Sequence, residues 1–443
     1  MSNLNEAGKR MYDLAYKIFP YNRSITGEGV RKTLDDIAEY IAPSGVKLEV
    51  KAVPSGTQVF DWTVPKEWAI RDAYIEDENG MHIIDMKSNN LHVLGYSLPV
   101  DEWVDLEELK KHIYVEEDQP DVIPYVTSYY KERYGFCMSK NMLDSLDPGR
   151  YHMYIDSELF DGVLNYAEAV IEGDTKEEIM FSTYFCHPSM ADNECSGPAL
   201  TSELINTIAS LPSRKYTYRF VFVPETIGSI TYLSVEDHVK YLQKHLKAGF
   251  VLSCVGDDKD YSMIRSRYSD TLADRVLLNV LKYKEKHTIY DFRQRGSDER
   301  QYNAPGVDLP VVCFCRSKFG EFPEYHTSAD DMSFVSPEGF QGAYDVIMEV
   351  VNILEKNAYY RMKVLCEPQL GKRGLYSDLS RKGIYDRILI QRDVISYCDG
   401  KNDLLDLSER IEVPVSEIIE IIERLADNDL VEKQDDRSKY KQQ

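Results

Sequence analysis

The alternation of apolar and polar positions divides the chain into four textures. In the first 45 residues, Leu14, Ala15, Ile18 and Phe19, and then Leu34, Ile37 and Ile41, recur at the spacing of one helical face, with a turn over Asn22–Gly29 between them. From 46 to 155 the period shortens. Leu48, Val50 and Val53, then Val59, Trp62 and Val64, then Ala73–Ile75, His82–Ile84 and Tyr151–Ile155 alternate with Pro, Gly and Asp turns, which predicts an inserted β-rich domain. From 156 to 366 unbroken apolar runs such as Ile179–Phe185 and Phe220–Val223 alternate with helical patterns such as Leu200, Leu204, Ile205 and Ile208. This predicts an α/β body with a doubly wound mixed sheet, whose ligand crevice lies at the carboxyl ends of its strands. From 370 to 443, helices around Ile388–Ile395, Leu404–Ile411 and Val415–Leu425, then a short strand from Leu430, form a winged-helix pattern.

Candidate chemistry sits where the apolar runs stop. The first run opens into Cys186-His187-Pro188-Ser189-Met190-Ala191-Asp192-Asn193-Glu194-Cys195-Ser196-Gly197, which delivers a His and an Asp together. The next ends in a single carboxylate, Glu225, before Thr226-Ile227-Gly228-Ser229. Two later segments carry Ser297-Asp298-Glu299 and Glu324-Tyr325-His326-Thr327-Ser328. Strand-end His, Asp and Glu followed by a late loop His is the order of a metallohydrolase: two neutral imidazoles and a carboxylate for a metal, and a spare carboxylate to take a proton from water. Taken singly, each residue is better explained as a helix cap, a satisfied strand-end side chain or surface loop structure, and only their order together favours a metal site.

These residues also carry a resemblance. From about Asn165 to about Leu354 the chain resembles the catalytic domain of the zinc aminopeptidase and glutaminyl-cyclase superfamily. More narrowly, Met180–Pro188 and Glu324–Ser328 are similar to an aminopeptidase-like family with an inserted β-rich domain, a C-terminal winged helix and genes often near those of polysaccharide biosynthesis. The resemblance implies one zinc per chain, held by His187, Asp192 and His326, with Glu225 as general base and Asp298 as a further catalytic carboxylate. It implies substrate contacts from Glu299, Tyr325 and Arg23. Three departures matter. His187-Pro188-Ser189 lacks the supporting Asp of the superfamily's His-x-Asp, Thr226 replaces a metal-binding Glu, and Ser253 replaces an Asp ligand. Two lost ligands favour a single metal. A shift of one residue would instead make Glu225 a ligand.

Composition sets the partners. The chain has 443 residues, 43% of them hydrophobic and 29% charged, with a net charge of −23, which disfavours nonspecific nucleic-acid binding. From Leu404 to Glu432 there are nine acidic residues against two arginines, so the winged helix is expected to serve protein contact or homo-oligomerisation rather than DNA reading. The inserted domain is the other candidate for self-association, and Phe60–Trp62 and Tyr134–Cys137 are candidate cleft walls. No apolar run spans a membrane, Met1–Glu6 lacks the features of a signal peptide, and the eight cysteines include no C-x-x-C pair. A reducing cytoplasm is expected. The function expected is hydrolysis of an amide bond, with an N-terminal amino acid of a peptide as the leading substrate. A deacylase or amidase on an acylated sugar intermediate is the alternative, and a non-catalytic scaffold is the third reading.

Overall fold

Two strands buried along their whole length set the centre of the structure. Glu178–Tyr184 and Thr217–Val223 have no exposed residue, as strands covered on both faces require. In the computed structural model, which describes residues 6–375 and 384–434, they lie side by side in an eight-stranded sheet. Its strands are β1 (Glu49–Pro54), β2 (Val163–Ile171), β3 (Glu178–Tyr184), β4 (Thr217–Val223), β5 (Leu246–Leu252), β6 (Ser262–Ile264), β7 (Thr288–Tyr290) and β8 (Val311–Cys315), in the order β1-β2-β4-β3-β5-β8-β6-β7. The four central strands β4, β3, β5 and β8 run parallel, and the margins carry antiparallel pairs. The expected mixed α/β sheet is therefore present.

Parallel central strands send all their carboxyl ends the same way, so the loops after Tyr184, Val223 and Leu252 converge. The helix Ser196–Ala209 starts against this end. A Cβ at Gly197 would collide with the Thr183 hydroxyl and the Leu252 carbonyl, so glycine is what lets the helix start there.

The insertion is a four-stranded antiparallel sheet in the order His82–Asp85, Glu67–Asp77, Arg150–Phe160, Val100–Asp105. Its limits differ from those expected. Glu49–Pro54, which the alternating pattern assigns to the insertion, pairs antiparallel with β2 as the edge of the large sheet. Its half-exposed alternation is that of any edge strand, so periodicity could not tell the two sheets apart. Arg150–Phe160 also runs past 155. The insertion is not a separate body: residues 1–273 and 288–344 form one compact unit, and one hydrophobic cluster joins Ile75 and Met153 of the small sheet to Met180 and Val221 of the large one.

The second unit comprises residues 274–287 and 345–443. Helices Ile384–Tyr397, Leu404–Ile411 and Val415–Asp427 are followed by Val431–Gln434, which pairs antiparallel with Tyr359–Met362. The winged-helix module thus begins before residue 370, because its ribbon borrows a strand from the segment first assigned to the α/β body. Helix Val415–Asp427 buries Ile418, Ile419, Ile422 and Leu425 and exposes Glu420, Glu423 and Asp427. Residues 1–5 and 435–443, on which the readings of the N-terminus and most of the tail fall, lie outside the described residues. Among the described residues no helix is long and apolar enough to cross a membrane.

At the amino ends of the central strands a buried ion network ties β2, β3 and β4 together. Arg219 donates through Nε and Nη2 to both oxygens of Glu178, at 2.7 and 2.9 Å, and through Nη1 to Glu168 at 2.6 Å. Burial alone would raise the Glu178 carboxyl, but the Arg219 bonds and charge bring it below its ordinary value of 4.5. The stabilisation it gives is present above that value and fades as pH falls through the lower folded one. Arg219→Ala, which strands a buried carboxylate, is expected to cost about 3–5 kcal/mol in urea unfolding at neutral pH, with the deficit shrinking in acid as Glu178 protonates.

Candidate active site

Beyond Tyr184 the chain leaves the sheet, passes through Cys186 and His187, and enters a single π-helical turn over Ala191–Cys195 before the helix proper. Such turns insert an extra residue and often mark functional sites. Asp330, fully buried, caps this one. Its carboxylate accepts from the Asp192 and Asn193 N–H groups at 2.7 and 3.0 Å, and its carbonyl accepts from Ala191 N at 2.9 Å. Burial pushes the Asp330 carboxyl up to about 7 despite these donors.

The turn decides which carboxylate meets His187. Asp192 faces away, its Oδ1 accepting from Gly256 N at 2.6 Å and Asp257 N at 3.2 Å. Glu194 takes the place beside the imidazole: Oε2 accepts from Cys186 N, and Oε1 lies against His187 Nδ1. Cys186 Sγ is 3.3 Å from the same nitrogen. Within the described residues, Cys186, His187 and Glu194 form the one set of three or more potential metal-ligating residues whose donor atoms all lie within 4.8 Å of one another. The expected set of His187, Asp192 and His326 does not gather in this way. The strand β3 ends at Tyr184, so strand alternation does not set the direction of Cys186 relative to His187.

His326 stands across from His187, with ring centroids 5.1 Å apart. Tyr325 stacks on His326 at 3.9 Å, and Tyr125 packs against both imidazoles at 4.5 and 5.2 Å. Burial pushes the pKa of each imidazole down to about 3, so both are neutral and keep a nitrogen lone pair. Glu225 Oε2 is 3.8 Å from His187 Nε2. Burial, then the charges of Asp298 and Glu194, hold the Glu225 carboxyl well above the usual carboxylate range.

Glu225 is aimed by a strained turn. Thr226 has φ 64° and ψ −77°, and Ile227 N donates back to the Glu225 carbonyl at 2.8 Å, closing a three-residue γ-turn of the rare positive-φ kind. Asp298 holds it by accepting from Thr226 N and Ser229 Oγ, each at 2.8 Å, while Arg300 donates to Thr226 Oγ1 at 2.6 Å. Ser189, Cys254 and His326 also have positive φ (48°, 51° and 58°). Four strained non-glycine residues on the loops around one cluster are what a functional site accumulates.

The expected catalytic Asp298 and the expected substrate contacts lie behind the site instead. Asp298 touches the backbone that carries Glu225. Glu299 turns its Oε1 onto the Gly296 and Ser297 N–H groups at 2.9 and 3.2 Å. Arg23, only 1% exposed, donates to the carbonyls of Ile18 and His187 and to Cys195 Sγ. Tyr325 braces His326. The sequence names these residues but not the direction of their side chains.

A cavity of about 490 Å³ opens onto Cys186, His187, Glu225 and His326. The insertion supplies its opposite wall through Trp62 and Tyr125–Tyr130. Tyr125 N donates to the His326 carbonyl and Ser328 N to the Ile123 carbonyl, both at 2.9 Å, so the two loops hold each other. Trp62 lies where expected. Tyr134–Cys137 does not line the cavity, since Phe136 and Cys137 are fully buried in the core. Tyr125 and Tyr129 escaped the sequence reading because nothing in their spacing differs from core tyrosines.

The donor set fits a zinc ion. Imidazole, thiol and carboxylate are its usual ligands, and Glu194 Oε1 is buried with no hydrogen-bond donor of its own. Comparison with known proteins gives the wider setting. Residues 12–357 match a family described as a domain of unknown function (DUF4910), and residues 357–433 match a winged helix-turn-helix family. A Clostridium acetobutylicum protein provisionally named a polysaccharide biosynthesis protein with an aminopeptidase-like domain is 44% identical over 413 residues, covering 92% of each chain. The 2.37 Å crystal structure of a Clostridium acetobutylicum protein provisionally assigned as a peptidase superposes with a TM-score of 0.89 at 41% identity, over 98% of each chain. BSAP, a zinc aminopeptidase from Bacillus subtilis, shares the fold, with a TM-score of 0.57 at 13% identity over 79% of this chain and 94% of that one. The chain belongs to the DUF4910 family, with an aminopeptidase-like fold and a C-terminal winged helix.

Asp330→Ala would leave two buried N–H groups of the π-turn without an acceptor. It is expected to lower stability by roughly 3 kcal/mol in urea unfolding, and Asp330→Asn, which keeps an acceptor oxygen, to recover part of the loss.

Proposed function

We propose that the protein is a zinc-dependent hydrolase of amide bonds. The observation that carries this reading is the meeting of His187, Glu194 and Cys186 with His326 and Glu225 at one end of a cavity. His187, Glu194 and Cys186 would hold the ion, with His326 beside them. Bound there, zinc supplies the Lewis acidity that polarises an amide carbonyl and brings water toward ionisation near neutral pH.

The chain's own residues account for the rest. Glu225, partly exposed to the cavity and kept basic by its buried surroundings, is placed to take a proton from water and return it to the departing nitrogen. The Thr226 turn, pinned by Asp298, fixes the direction in which Glu225 points. Tyr125 and Tyr129, with hydroxyls 2.6 Å apart, offer donors on the facing wall. Seven of the eight cysteines are buried as free thiols, which supports a reducing compartment such as the cytoplasm. The acidic outer face of helix Val415–Asp427 supports a protein contact for the winged helix, a homo-oligomeric one included, over nucleic acid.

Metal content by elemental mass spectrometry tests the site. About one zinc per chain is expected. Glu194→Ala and His326→Ala should each lower it, while Asp192→Asn should leave it unchanged. Glu225→Gln should keep the zinc and lose turnover by about 10²–10⁴-fold. Loss of zinc in Glu225→Gln would make Glu225 a ligand, and no zinc even after add-back would favour a non-catalytic scaffold.

A further inference from the structure

The lining of the cavity narrows the substrate class, and this step rests on the hydrolase reading above. An aminopeptidase must seat a free α-amine, an ammonium at neutral pH, and an ammonium taken out of water needs a carboxylate of its own. Glu225 is the one carboxylate among the described residues that line the cavity, and it already serves as base. The other acids nearby are turned away from the cavity. Asp257 accepts from Lys259 N, Ser317 N and Ser317 Oγ, all at 2.8 Å. Asp192, Asp298 and Glu299 are held by the backbone groups described above, and none of the four reaches the lining.

What does line the cavity is neutral and aromatic. Trp62 and Tyr130, 42% and 56% exposed, meet edge to face at 5.8 Å, and Ile25 and Val126 add aliphatic surface. The Tyr125–Tyr129 hydroxyl pair can donate to an acyl oxygen, which a neutral amide offers and an ammonium does not. Pockets of this composition select by shape and a few placed polar groups rather than by charge.

We propose that the cavity takes an uncharged N-acylated amine, and that a free N-terminal ammonium is excluded. The reaction balances without a further reactant. The oxygen of water joins the acyl carbon, the C–N bond breaks, and the proton taken by Glu225 passes to the nitrogen, leaving a carboxylic acid and an amine. An acylated amino sugar and an acylated amino acid share this chemistry.

Calorimetric titration of the zinc-loaded full chain with matched pairs tests the inference. N-acetylglucosamine is set against glucosamine, and N-acetyl-leucinamide against leucinamide, with acetate release followed in parallel. At least one acetylated member is expected to bind about tenfold or more tightly than its free amine. The pair that shows the difference identifies the source. Trp62→Ala should weaken the acetylated probe, and Val126→Asp, which adds a carboxylate to the wall, should strengthen leucinamide. Preferential binding of the acetylated member without acetate release keeps the substrate class and sinks the hydrolase reading. Equal or tighter binding of the free amines, cleavage of leucine 4-nitroanilide in preference to the acetylated probes, or binding of no probe overturns the inference.

Discussion

Keeping carboxylates away from water is the constraint around which this molecule is arranged. Asp192, Glu194, Asp257, Asp298, Glu299 and Asp330 are all fully buried near the carboxyl ends of the central strands. Each would be prohibitively costly as an isolated charge. The solution is largely backbone: N–H groups of residues 186, 192, 193, 226, 256, 257, 296, 297 and 317 point at these side chains. Loops shaped by that demand account for the π-turn, the γ-turn at Thr226 and the strained φ angles around them. The cancellation is incomplete. Asp192 Oδ2, Glu194 Oε1, Asp298 Oδ2 and Glu299 Oε2 keep no donor, and a cation beside Glu194 would relieve one of these deficits.

The insertion shapes the other half of the problem. A cluster at strand ends is open to water unless something covers it, and here the loop Ile123–Tyr130 does so by pairing with the loop that carries His326. One contact therefore both seats His326 and brings two tyrosines over the imidazoles. The insertion shares a hydrophobic cluster with the large sheet, which makes this wall part of the same packed unit rather than a hinged lid.

Much of this was legible in the residues. The parallel centre followed from apolar runs too long and too continuous for half-exposed strands, and the segments that converge were those bearing His187, Glu225 and His326. What periodicity could not supply was direction. Asp192 and Glu194 are two residues apart, and only the π-turn, fixed by Asp330 from far along the chain, sends the second toward His187. Arg23, Asp298, Glu299 and Tyr325, expected to act on substrate, stand near the cluster, yet each faces its scaffold. The edge strand Glu49–Pro54 and the ribbon strand Tyr359–Met362 were misassigned for a related reason: a strand's partner is a long-range fact that short windows do not contain.

That ribbon also imposes an order on synthesis. Everything the unit bearing the cavity contains has been made once Tyr344 leaves the ribosome, whereas one side of Tyr359–Met362 waits for Val431–Gln434 before it is paired. At ordinary elongation speeds the interval is roughly 5–20 s, long compared with the folding of most small domains. The nascent chain can therefore complete the unit bearing the cavity while the winged helix is still an open strand and a set of helices, and Val431–Gln434 acts as the closing clasp of the second unit.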